Sequence, residues 1–364
     1  MRKNFMKKVV AGMLTAVMAF SLTACGGGDA STNDTAKEEG SSDVITVGFS
    51  QVGAESDWRT ANSESMKSTF TKDNGYELIF DDAQQKQENQ ISAIRNFIQQ
   101  EVEDYKNGII NIPQLQFLVT TRCSLRCINC NAYIPYFGTH GKKHKDLSPQ
   151  DFKHDLDKLS EAVTHIRRFI LIGGEPLLHK ELSSLIEIAA QSSMISLIEI
   201  ITNGTIIPSS VILDTIERYK EKIYFHISNY QANPALISRL KHEKIFQVLK
   251  ERDIKYQMSA HQSWSKEIPL QGRSNDEAAQ KMFASCWLKR CLQVCDGKLA
   301  ICPKASSGYE LGMVDDSFPG EVISLREIDD VRKQLIAFYQ KDFFEACRSC
   351  VRIDEEVLVA EQFS

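Results

Sequence analysis

From Ile45 onward the chain alternates between two periods. Ile45, Val47 and Phe49 occupy every second position, which predicts a strand, and a helical pattern follows over about residues 57–71. Tyr76 to Phe80 predicts a second strand. Ile91, Ile94, Phe97 and Ile98 then mark one face of a helix that reaches about Tyr105. The alternation resumes with a strand at Gln116 to Thr120. Ser148 is a predicted N-cap with Pro149 in the first helical position, and Phe152, Leu156, Leu159 and Val163 supply that helix's apolar face. Strands are predicted at Phe169 to Ile172, Leu197 to Thr202, Ile223 to Ile227 and Lys255 to Met258. Helices are predicted between them at about 180–190, 211–219 and 234–250. Repeated strand–helix units with short connections predict a parallel sheet, and such sheets carry function at the carboxyl ends of their strands.

Before Ile45 the pattern differs. Arg2, Lys3, Lys7 and Lys8 precede an apolar stretch from Val9 to Leu22 that is short for a membrane span. It ends in Leu22-Thr23-Ala24-Cys25, which resembles the bacterial lipobox; the resemblance implies that residues 1–25 are a lipoprotein signal and that Cys25 is lipidated. Residues 26–43 are rich in Gly, Ser, Thr and Asp and predict a flexible linker. With Gly48-Phe49-Ser50-Gln51 at the end of its first strand, the βαβα order of residues 44–101 resembles the start of a periplasmic sugar-binding protein of the ABC-transporter type. That family closes on sugar between two complete lobes, and less than one lobe is present.

Composition changes little: 364 residues, 42% hydrophobic and 25% charged, are ordinary for a globular protein, and a net charge of −5 without a long basic run argues against a nucleic-acid partner. The cysteines change more. Of ten, only Cys25 precedes Cys123. Cys123, Cys127 and Cys130 have the spacing C-x3-C-x2-C on a loop just after a strand. Three thiolates on one loop can hold three irons of a 4Fe–4S cluster and leave the fourth iron open, whereas zinc favours four ligands in two close pairs. His140 and His144 are possible fourth ligands for zinc, but their Gly/Lys-rich loop predicts solvent exposure.

This triplet resembles that of the radical S-adenosylmethionine (SAM) superfamily. The resemblance implies a partial (β/α) barrel over residues 110–264, a 4Fe–4S cluster whose open iron binds SAM, and generation of a 5′-deoxyadenosyl radical. It implies contacts to SAM from Gly173, Gly174 and Glu175 after one strand, from Thr202 and Asn203 after the next, and from Ser228. Where the family usually has an aromatic residue before the third cysteine, this chain has Asn129, leaving only a backbone contact there. Tyr133, Tyr136 and the loop 131–145 are candidates for the mouth of such a site or, on the plainer reading, ordinary loop packing.

Cys286, Cys291, Cys295, Cys302, Cys347 and Cys350 crowd the last third. Gly297 to Cys302, with Cys286 before it and Cys347-x2-Cys350 after it, resembles the twitch or SPASM extension of radical SAM enzymes. That implies a small Cys-rich domain over residues 265–364 and one auxiliary cluster held by Cys286, Cys302, Cys347 and Cys350, with Cys291 an alternative to Cys286 and a zinc ribbon an alternative metal site. The resemblance also implies a reductant protein of flavodoxin or ferredoxin type and a peptide, protein or small-molecule substrate.

The two ends make opposed demands. A lipobox predicts export and attachment to the membrane through the lipid anchor, whereas a reducible cluster predicts the cytoplasm. A fusion or assembly chimera joined near residues 101–104 reconciles them, as does a natural fusion whose signal is unused. Two other functional classes remain: a sugar-binding lipoprotein of an importer, and a zinc-stabilised module without catalysis.

Overall fold

The protein is described here from a computed structural model, in which residues 45–74, 76–139, 142–260 and 263–363 are described. The signal, the linker, Cys25 and His140 lie outside them. No helix of the described residues is long and apolar enough to cross a membrane.

The first layer holds β1 (Ile45–Gln51), α1 (Asp57–Thr69), β2 (Tyr76–Asp82) and α2 (Gln87–Lys106), with β1 and β2 pairing in parallel as an isolated two-stranded sheet. Phe97 of α2 lies against Gly48, where an added Cβ would come within 2.7 Å of the ring. The rest of the predicted apolar face is not covered: Ile91, Ile94 and Ile98 are 41%, 50% and 55% exposed. A two-stranded sheet offers too little area to bury a helix of this length. The helix α2 runs across residues 101–104 without a break.

The main sheet follows. Its strands are β3 (Asn111–Leu118), β4 (His165–Ile172), β5 (Ile195–Thr202), β6 (Ile223–Ile227) and β7 (Tyr256–Met258), each parallel to the one before. The helices α3 (Pro149–Ser160), α4 (Leu182–Gln191), α5 (Ser210–Arg218) and α6 (His242–Glu251) connect them in turn. α3 begins as predicted, with Ser148 Oγ accepting from Asp151 N at 3.1 Å and Pro149 at the first position. Phe152, Leu156 and Leu159 of α3 pack with Phe117 and Phe169 of the sheet in one continuous core.

The helix predicted over 234–250 divides into a turn at Pro234–Leu236 and α6. Tertiary bonds hold the chain between them in place: Lys241 N donates to Gly204 O, and Arg239 reaches Ser124 O. No local propensity carries that information.

The residues expected to form a separate C-terminal domain do more than that. β8 (Ser263–Glu267) precedes α7 (Asp276–Ala284), and then β9 (Leu292–Cys295), β10 (Lys298–Ala300) and β11 (Ile323–Ser324) extend the main sheet, with β9 parallel to β3. The eight strands run β11-β10-β9-β3-β4-β5-β6-β7, an open sheet that does not close into a barrel. All four residues of β9 are buried, because they cover what would otherwise be the exposed edge of β3. The helices α8 (Pro303–Leu311), α9 (Val331–Tyr339) and α10 (Glu345–Ser349) follow, and β12 (Arg352–Leu358) pairs antiparallel with β8.

Candidate active site at the carboxyl ends of the strands

The triplet lies on the loop leaving β3. Two backbone hydrogen bonds hold that loop against the end of β4: Gly174 N donates to Thr120 O and Glu175 N to Arg122 O, both at 2.8 Å. Gly173 and Gly174 make the approach possible. A Cβ on Gly173 would lie 2.6 Å from Thr120 O, and one on Gly174 would collide with Arg122 O and with the Cys123 side chain. The close approach expected of these glycines is therefore first to the cysteine loop itself.

Cys123, Cys127 and Cys130 all border one cavity of about 500 Å³, together with Gly173 and Gly174. Asn129, Asn203 and Ser228 line it too, so these expected contacts share the cavity with the thiols. Glu175 and Thr202 do not. Both are fully buried behind the wall, where Glu175 Oε1 accepts from Thr202 Oγ1 at 2.9 Å and from Leu177 N at 3.1 Å, and Oε2 accepts from Asn203 N at 2.8 Å. The carboxylate joins the ends of β4 and β5. Burial pushes its pKa up to about 7 against the pull of those three donors.

Asn203 connects the β5 end to the cysteine loop. Its Nδ2 donates to Ser124 Oγ at 2.9 Å and, at 3.6 Å, to Cys123 Sγ, while its Oδ1 accepts from Thr205. Asn129 Oδ1 accepts from Glu267 N at 3.1 Å and so anchors the loop to β8. Tyr133 lies inside, not at a mouth: it is 2% exposed and donates its hydroxyl to Ile268 O. The ring of His144 is bonded to Thr121 and does not border the cavity.

Desolvation raises all three thiols, Cys123 and Cys127 to about 12, and each of these two is raised further by the neighbouring cysteines. Leu125 N donates to Cys123 Sγ at 3.4 Å. Among the described residues, no group of three or more His, Cys, Asp or Glu is drawn together closely enough to form a ready cage for a metal ion.

Residues 117–252 match the sequence profile of the radical SAM superfamily. The chain carries a radical SAM domain. It spans β3 to α6, and so includes the triplet, the Gly-Gly-Glu turn and Asn203. A GTP 3′,8-cyclase of Desulforamulus reducens is 36% identical over 97 residues, 26% of this chain and 28% of that protein. The galactofuranose-binding protein YtfQ of Escherichia coli is 54% identical over 59 residues, 16% of this chain and 18% of that protein. The chain thus spans less than a third of the curated relatives it matches. A solved structure described as native anSMEcpe with bound AdoMet is 11% identical, with a TM-score of 0.42 over 63% of this chain and 81% of that one.

Beside the radical SAM domain is a second, smaller cavity of about 80 Å³, and Cys286, Cys302, Cys347 and Cys350 all border it. Cys302 caps α8 and its Sγ accepts from Ala305 N at 3.4 Å; Cys347 and Cys350 flank the end of α10. Burial raises Cys302 and Cys347 to about 12. Cys291 does not border this cavity, and Cys295 is buried among Leu118, Ala132, Ile134 and Phe137. Ser265, Glu267 and Trp287 border both cavities, and Glu267 pairs with Lys304 at their common wall. No periodicity in the sequence marks Glu267, Lys304 or Trp287; they stand out only once β8 is placed.

Proposed function

We propose that the chain is a radical SAM enzyme in which Cys123, Cys127 and Cys130 hold a 4Fe–4S cluster and the cavity beside them takes SAM. The observation that carries this reading is the opening of all three thiols onto a single cavity at the carboxyl ends of parallel strands. The donor set fits the group: three soft sulfur ligands, with N–H bonds directed at the sulfurs and no fourth protein sulfur on the loop. When bound, the cluster and SAM supply a one-electron cleavage that yields a hydrogen-abstracting 5′-deoxyadenosyl radical.

The protein's part is orientation and exclusion of water. Gly173 and Gly174 keep the wall thin beside the cysteines, so backbone rather than side chain faces the ligand. Asn203 and Ser228 present polar atoms to it from the ends of β5 and β6. Glu175 and Thr202 position Asn203 from behind, the role their burial leaves them. The Asn129–Glu267 bond closes the side toward β8.

An auxiliary cluster on Cys286, Cys302, Cys347 and Cys350 suits the second cavity, which those four share and Cys291 does not. A structural zinc on the same four is the competing reading. The common wall of the cavities is the natural place for a substrate, a peptide or a small molecule, with electrons coming from a flavodoxin- or ferredoxin-type partner. The likeness to a galactofuranose-binding protein over 59 residues favours an origin of the N-terminal segment in a sugar-binding lipoprotein, joined near residues 101–104 to a cytoplasmic enzyme. Sequencing one continuous source molecule across the joint tests that origin.

The test of the enzyme is anaerobic reconstitution with iron and sulfide, then SAM and a strong reductant, with 5′-deoxyadenosine as the readout. Cys127→Ala abolishes its formation. A colourless protein filled with zinc would sink the assignment.

A further inference from the structure

The end of the chain returns to the cysteine loop. Val359 and Ala360 are fully buried, and Asn233 Nδ2 donates to their carbonyls at 2.9 and 3.1 Å. Ile128 N donates to Glu361 O and Phe363 N to Arg126 O, at 2.7 and 2.8 Å. Residues 361–363 therefore form an antiparallel strap along residues 126–128, with Gln362 opposite Cys127.

The Gln362 amide is held on both sides. Its Oε1 accepts from Arg126 N at 2.8 Å, and its Nε2 donates to Ala360 O at 2.6 Å and to Cys127 Sγ at 3.3 Å. Its orientation is unambiguous: a backbone N–H can only donate and a backbone carbonyl can only accept, so the flipped amide would oppose like groups on both sides. Cys123 receives a backbone N–H bond from within its own loop, from Leu125. For Cys127 the donor is this side chain, 235 positions away in the chain.

We propose that Gln362 is a positioning residue that tunes the reduction potential of the cluster through Cys127. The inference rests on the reading of Cys123, Cys127 and Cys130 as cluster ligands. Reduction adds an electron whose charge spreads onto the sulfurs, and an N–H directed at a sulfur stabilises that form, so the bond raises the potential. Because the donor sits on a strap from the far end of the chain, the potential also depends on the strap being seated.

The test compares full-length wild type, Gln362→Leu and Gln362→Glu, each reconstituted anaerobically. Iron and sulfide are counted, and the midpoint is read on the electron-paramagnetic signal that SAM perturbs. Gln362→Leu is expected to retain its cluster and to show about a tenfold lower reduced-to-oxidised ratio at fixed potential, about 59 mV for one electron. Gln362→Glu keeps an acceptor for Arg126 N but sets a carboxylate oxygen against the sulfur, and its midpoint falls at least as far. Unchanged midpoints in both variants at full iron content overturn the proposal. Loss of the cluster from both also overturns it, since the strap would then be merely structural. A wild type that takes up no cluster removes the functional reading itself, a failure distinct from either.

Discussion

Glu175 Oε2 accepts a hydrogen bond from the backbone N–H of Asn203 at 2.8 Å, across the ends of two neighbouring strands. That bond fixes the turn from which Asn203 reaches Ser124 and Cys123. The carboxylate therefore influences the cysteine loop without touching the cavity.

Glu175 makes stability depend on pH. Its folded pKa is raised from 4.5 to about 7 by burial, so the folded chain keeps a proton that the unfolded chain releases. Its contribution is complete below about pH 4.5 and declines as pH rises toward about 7. Urea unfolding of the apo protein at pH 5 and pH 7.5 is expected to show wild type losing stability, by up to a few kcal/mol, relative to Glu175→Gln. Parallel pH profiles would show that the carboxyl is ionised throughout.

Gly174→Ala forces a Cβ into Arg122 O and the Cys123 side chain. Backbone must move, at a cost of about 1–3 kcal/mol. The expected result is a lower melting temperature together with reduced iron uptake. Unaltered melting would mean that the loop yields easily.

Asn203→Ala removes the donor to Ser124 Oγ and Cys123 Sγ and leaves the Thr205 N–H without its acceptor. A loss of about 1–2 kcal/mol corresponds to roughly a fivefold to thirtyfold fall in SAM affinity. Equilibrium binding of SAM to the reconstituted protein measures it, with Ser228→Ala as a second cavity-lining change.

The four cysteines of the smaller cavity separate from Cys291 by metal content. Cys302→Ser is expected to lower iron per chain by about half if each site holds a four-iron cluster, while Cys291→Ser leaves it unchanged. Zinc at wild-type level in place of the missing iron would assign the cavity to a structural ion. A fall in iron with Cys291→Ser would redraw the ligand set.

Much of the fold and part of the site could be read along the chain. Local periodicity marked β3 to β7 and α3 to α5, because alternation and helical spacing are properties of neighbouring residues. The triplet and Gly-Gly-Glu were legible for the same reason: each is a short run whose chemistry depends on adjacent positions. Tertiary structure decided the rest. It placed Cys286, and not Cys291, on the cavity that Cys302, Cys347 and Cys350 border, since the packing of α7, α8 and α10 sets which sulfurs share a cavity. It turned Glu175 inward, left Ile91, Ile94 and Ile98 uncovered, and brought Gln362 to Cys127. Spacing along a chain constrains only residues a few positions apart, whereas meetings across hundreds of positions follow from strand order and the burial of apolar faces.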